Sequence, residues 1–121
     1  METDLYKLAE AVKTVAMEAG SLLRRERQTF DRGCVEQKAA HDYVSYVDKA
    51  SERLIVTRLH DLLPEAGFVT EEGTGVFGGE EYCWVVDPLD GTSNYIHDNA
   101  PYCVSIALRD RTEVLLGVVY E

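Results

Sequence analysis

Basic residues are scarce in this chain. Twelve Lys and Arg stand against 22 Asp and Glu in 121 residues, a formal net charge of −10. A surface of that sign repels phosphodiester backbones, so nucleic acid is not an expected partner. Cysteine is sparse as well. Cys34, Cys83 and Cys103 are odd in number, and none falls in a Cys-x-x-Cys spacing. Neither a zinc site nor a disulfide framework is expected, and a reducing cytoplasm is the expected location. Cys83 and Cys103 lie in apolar runs and are read as buried. No stretch reaches the ~18 apolar residues of a membrane span, and the N-terminus carries acids where a secretory leader would carry basic residues. No membrane association is expected. Internal repeats, low-complexity tracts and linkers are missing too, which leaves a single domain with a modest core.

What is present divides into helical and strand-like periods. Leu5, Leu8, Val12, Val15, Ala19, Leu22 and Leu23 recur at helical spacing, and predict one amphipathic helix over residues 4 to 30. Thr3 or Asp4 is placed to cap its start, Gly20 is a weak point inside it, and Arg24, Arg25 and Arg27 suit its negative end. Gly33 ends it. Val35 to Lys38 reads as a short strand, and His41 to Val47 as a loop or second strand. A second helix is expected from about 48 to 63, with Leu54, Ile55, Leu59, Leu62 and Leu63 on its apolar face and Asp48 as a good N-cap. Pro64 and Gly67 close it. Phe68-Val69-Thr70 is a short apolar run leading into Glu71-Glu72. Residues 74 to 81 are rich in glycine and acids, the composition of an exposed loop. Tyr102 to Leu108 and Val114 to Tyr120 read as two strands joined by a turn over Arg109 to Thr112.

The most informative stretch is Trp84-Val85-Val86-Asp87-Pro88-Leu89-Asp90-Gly91-Thr92. Three apolar residues read as the end of a buried strand. Pro88 has no backbone N–H and fixes its own φ, so strand pairing is expected to stop there. Asp87 and Asp90 would then sit just past the strand end. Hard cations such as Mg²⁺ take oxygen ligands, often one or two carboxylates plus substrate phosphate. Gly91 allows close backbone approach, Thr92 adds a hydroxyl, and a helix starting there would turn free N–H groups toward an anion. These residues are the candidate metal and phosphate site. An Asp-Pro-x-Asp-Gly string taken alone is also ordinary turn punctuation. Glu71 follows a short apolar run just as Asp87 does, so two neighbouring strands would bring the acids together. A solvated acidic turn is the other reading. Lys38 is a surface lysine on its own evidence, and His41, His60 and His97 are too dispersed to suggest a metal centre.

The nine-residue string, continued by Ser93-Asn94-Tyr95, closely resembles the signature of the inositol monophosphatase family. Asp42-Tyr43-Val44-Ser45-Tyr46-Val47-Asp48 is similar to that family's Asp-x-Val-Thr-x-x-Asp, with Ser for Thr. The pair Glu71-Glu72 matches an acidic pair upstream of the aspartates. The resemblance implies a Mg²⁺-dependent, lithium-sensitive phosphatase acting on a small phosphorylated substrate, with two or three ions. Glu71, Asp87, Asp90 and the Leu89 carbonyl would be the metal ligands. Asp48 would pair with the Thr92 hydroxyl to orient and deprotonate the attacking water, with Glu71 sharing in catalysis. Gly91, Thr92, Asp90 and Lys38 would contact the substrate phosphate.

The implied fold is α+β, two long helices packed on a mainly antiparallel sheet, half of an αβαβα sandwich. The match covers the chain but only the first half of a family member. The expectation is an N-terminal metal- and phosphate-binding domain over residues 1–121, a truncated piece of the enzyme whose C-terminal domain is absent. Inositol monophosphate is the expected substrate, with a 3′-phosphoadenosine 5′-phosphate-type nucleotide or fructose 1,6-bisphosphate as alternatives. A noncatalytic metal- and anion-binding half-domain is the rival function, and a homodimer or larger homo-oligomer is the expected assembly.

Overall fold

A computed structural model describes residues 4–29, 37–71, 73, 75, 77–90 and 102–121; within these, side chains are described except at 27–29, 37–45 and 90. Asp4 opens the chain's first helix, α1 (Leu5–Thr29), its carboxylate accepting from the Tyr6 N–H at 2.9 Å. This is the side-chain cap that the free N–H groups of a first turn require. Leu8, Val12, Val15, Ala16, Ala19 and Leu23 form its buried stripe. Gly20 has a packing role rather than being a flaw. A Cβ there would stand 2.7 Å from Cδ2 of Tyr120, so the missing side chain lets strand and helix meet.

The second helix, α2 (Gln37–Leu62), begins eleven residues before the expected start. The described part of the expected 35–38 strand, and the whole of 41–47, are helical. No glycine or proline lies between Gly33 and Pro64, and Ala39-Ala40 favours helix, so nothing stops it short. Asp48 is therefore not an N-cap; it lies mid-helix and is buried. Pro64 ends the helix as expected, and the Leu63 and Ala66 amides close the last turn on Leu59 and Leu63 carbonyls.

Four strands follow: β1 (Gly67–Thr70), β2 (Cys83–Asp90), β3 (Cys103–Arg109) and β4 (Val114–Tyr120). They form one sheet in the order β1-β2-β3-β4. β1 runs parallel to β2, and the other pairs are antiparallel. Phe68, Trp84, Val86, Val104, Ile106 and Leu108 face the helices and join their stripes in one core. Val69, Val85 and Val119 alternate with them on the opposite face and are exposed. Both helices thus cover one face of a mixed sheet. α1 and α2 are also tied by Arg58, whose guanidinium meets the Glu18 carboxylate at 3.1 Å.

Strand pairing does not stop at Pro88. Asp87 pairs with Ser105 and Asp90 with Cys103, so Pro88 and Leu89 together stand opposite Val104. This is a β-bulge, the one interior sheet position where a residue without an N–H is at home. The bulge resets the alternation, so that Leu89 turns its side chain into the core beside Trp84 and Val86. The β3–β4 turn is centred one residue later than expected. The Asp110 carboxylate accepts from the Thr112 and Glu113 amides at 2.8 Å each, and the Asp110 N–H closes on the Glu113 carbonyl. Those bonds favour the ionised carboxylate and hold its pKa below the ordinary value. Cys83 is buried as expected, with desolvation pushing its thiol up, whereas Cys103 is only half-buried.

Candidate metal and phosphate site

The parallel pairing of β1 and β2 builds the site. Thr70 is in register with Val86, so Glu71 and Asp87 are the next residues on adjacent strands running the same way. Such strands lie about 4.8 Å apart. Each acid immediately follows the last β1–β2 pair. Asp87 is half-buried and Glu71 exposed. The two acids therefore share one edge of the sheet. Asp87 lies within β2 at the bulge, rather than past the strand end.

The bulge is fastened from below by α2. Ser51 is fully buried and donates its hydroxyl to the Pro88 carbonyl at 2.9 Å. On the other side of that same amide, the Leu89 N–H is 3.3 Å from Asp87 Oδ1. Asp48 is one helical turn before Ser51 and belongs to the same buried face, as does Glu52. Neither Ser51 nor Glu52 stood out in the sequence. A signal was available, because 48, 51 and 52 form a polar patch inside the otherwise apolar stripe of Val47, Ile55 and Leu59.

The expected residues thus divide into three groups. Glu71, Asp87, Leu89 and Asp48 are brought to the β1–β2 edge or to the helix beneath it. Asp90 has its backbone at the end of the bulge, opposite Cys103, while its side chain, with all of Gly91 and Thr92, lies outside the described residues. Lys38 is on α2 ten residues before Asp48, about 15 Å along the axis, its side chain also outside the described set. Among the described residues no three acids, histidines or cysteines form a metal-holding cluster. Nearby, Thr70 Oγ1 is buried with no hydrogen-bond partner among the described residues.

Glu71, Asp87 and Leu89 bring carboxylate and carbonyl oxygens to this edge. That donor set fits a hard cation such as Mg²⁺ and not zinc or copper. Among the described residues no helix is long and apolar enough to cross a membrane.

A helical layer on a mixed sheet, with acids gathered at a strand-end bulge, is an architecture shared with known phosphatases. The sequence model of the inositol monophosphatase family matches residues 4–121, and the chain belongs to that family. It is 42% identical over 106 residues to Nus factor SuhB of Xylella fastidiosa, covering 88% of this chain and 38% of that protein. It is 37% identical over 117 residues to fructose-1,6-bisphosphatase/inositol-1-monophosphatase of Aquifex aeolicus, covering 97% and 44%. The solved structure of extragenic suppressor protein suhB from Bartonella henselae superposes with a TM-score of 0.78 at 32% identity, covering 94% of this chain and 43% of that one. The chain therefore spans about two-fifths of the length of the relatives it matches.

Proposed function

We propose that this chain is the metal- and phosphate-binding part of a Mg²⁺-dependent phosphatase that hydrolyses a phosphate monoester, inositol monophosphate. The observation that carries the reading is the parallel register that sets Glu71 beside Asp87 at a bulge. In this reading Glu71, Asp87, Asp90 and the Leu89 carbonyl hold Mg²⁺. Bound Mg²⁺ supplies charge neutralisation at the phosphoryl group and a lower pKa for water. Asp48 and the Thr92 hydroxyl position the attacking water and accept its proton. The Gly91 and Thr92 amides, with Lys38, hold phosphate oxygens. Monoesters are so inert that positioning and charge neutralisation must supply most of the acceleration. Self-association into a homodimer belongs to the same reading.

A second substrate, fructose 1,6-bisphosphate, is favoured by the name of the Aquifex relative. The test is phosphate release from inositol 1-phosphate and from fructose 1,6-bisphosphate with increasing Mg²⁺, alongside Mg²⁺ titration by calorimetry. Asp87→Asn is expected to keep the fold and to lose Mg²⁺ binding and any turnover. Mg²⁺ binding without turnover on either substrate would favour a binding half-domain. Unchanged Mg²⁺ affinity in Asp87→Asn would remove Asp87 from the site.

A further inference from the structure

We infer that Ser51 is a positioning residue for the Asp87 carboxylate, acting through the Pro88–Leu89 peptide. The inference rests on the metal site proposed above. The Ser51 hydroxyl donates to the Pro88 carbonyl at 2.9 Å, and the Leu89 N–H meets Asp87 Oδ1 at 3.3 Å. That carbonyl and that N–H belong to one rigid amide plane. Fixing the carbonyl fixes the direction of the N–H, and the N–H holds one carboxylate oxygen. A hydroxyl donating into the carbonyl also polarises the amide and strengthens its N–H as a donor.

The regular ladder is interrupted at this amide. Paired residues jump from Asp87↔Ser105 to Asp90↔Cys103, so Pro88 and Leu89 stand together opposite Val104, out of the regular register. Pro88 has no N–H to add a second anchor. Ser51 reaches this amide from another element, 37 residues away in the chain. A helical serine ordinarily bonds back to the carbonyl four residues earlier; here the hydroxyl is directed across to the sheet. Because Asp48 lies one turn away on the same buried face, the contact also fixes the height of Asp48 relative to the bulge.

The test uses Ser51→Ala, and Ser51→Cys as a near-isosteric variant with a weak donor. Two readouts are taken, amide hydrogen exchange by NMR and Mg²⁺ affinity by calorimetry. Both variants are expected to speed exchange at the Leu89 amide about tenfold and leave the Val85 and Ile106 amides at the native rate. Mg²⁺ is expected to bind about tenfold more weakly, the lower end for loss of a group that orients a metal ligand. Native exchange at Leu89 with native Mg²⁺ affinity in either folded variant would overturn the inference. Faster exchange across β2 and β3 alike, or unfolding of both variants, would make Ser51 a packing residue and also overturn it. Should the native chain bind no Mg²⁺, the metal-site reading fails by itself, and Leu89 exchange alone decides the role of Ser51.

Discussion

Trp84 is the only tryptophan and has no solvent exposure, so its fluorescence reports directly on the core beneath the bulge. Truncation to Ala leaves a large void in the core, and is expected to cost about 3–5 kcal/mol in urea unfolding. Trp84→Phe should cost clearly less. It keeps an aromatic ring and discards an indole N–H that finds no hydrogen-bond partner among the described residues. Trp84 and Asp87 were both legible in the sequence, one through its apolar run and the other through its motif. Ser51 was not, because a lone serine in a helix carries no directional information. Its significance depends on which carbonyl faces it across 37 residues, and only the packed structure supplies that. Asp48 was found as a candidate, but its reading as a cap assumed a helix that starts there. Once the helix extends to Gln37, burial beside the bulge becomes its distinguishing property.

Elements with a clean period were read well, and elements whose ends depend on tertiary context were not. The first helix begins within a residue of expectation because its apolar stripe is continuous and Asp4 caps it. Pro88 misled the reading of β2 for a physical reason. Proline breaks a regular ladder, but a bulge offers a position with no N–H to satisfy, and pairing resumes beyond it. Gly20 shows the same dependence on context. In an isolated helix Gly→Ala stabilises by up to about 1 kcal/mol. Here the new Cβ would meet the Tyr120 ring, so Gly20→Ala is expected to lower the thermal midpoint. Combining it with Tyr120→Ala, which vacates that space, should remove the clash component, as a double-mutant cycle would show. In the β3–β4 turn the folded state favours ionised Asp110. Its contribution is complete above about pH 4, the ordinary aspartate range, and is lost as pH falls through the lower folded value. Thermal melts of the native chain should show this acid-side loss, and Asp110→Ala should melt lower at pH 7 with that part of the pH dependence gone.

At the scale of the whole molecule, the proposed metal-binding edge is set by connectivity. A parallel β1–β2 pair places two chain exits side by side, which an antiparallel pair could not do, and each exit carries an acid. The sequence suggested strands that end near each other, but not their direction or neighbours, since register is decided by which faces the core buries. Gathering carboxylates in a chain of net charge −10 works against compactness, and a bound divalent cation reverses that local cost. If the site is as proposed, Mg²⁺ binds the folded chain and not the unfolded one. At a hundredfold excess over its dissociation constant it then stabilises by about 2.7 kcal/mol. For a chain of this size the thermal midpoint should rise by roughly 10 °C. Differential scanning calorimetry in Mg²⁺ against NaCl of equal ionic strength separates site binding from general screening. Asp87→Asn should melt alike in both salts. A midpoint in the native chain that depends on ionic strength alone would show that the clustered acids are a solvated face, and would return the edge to a structural role.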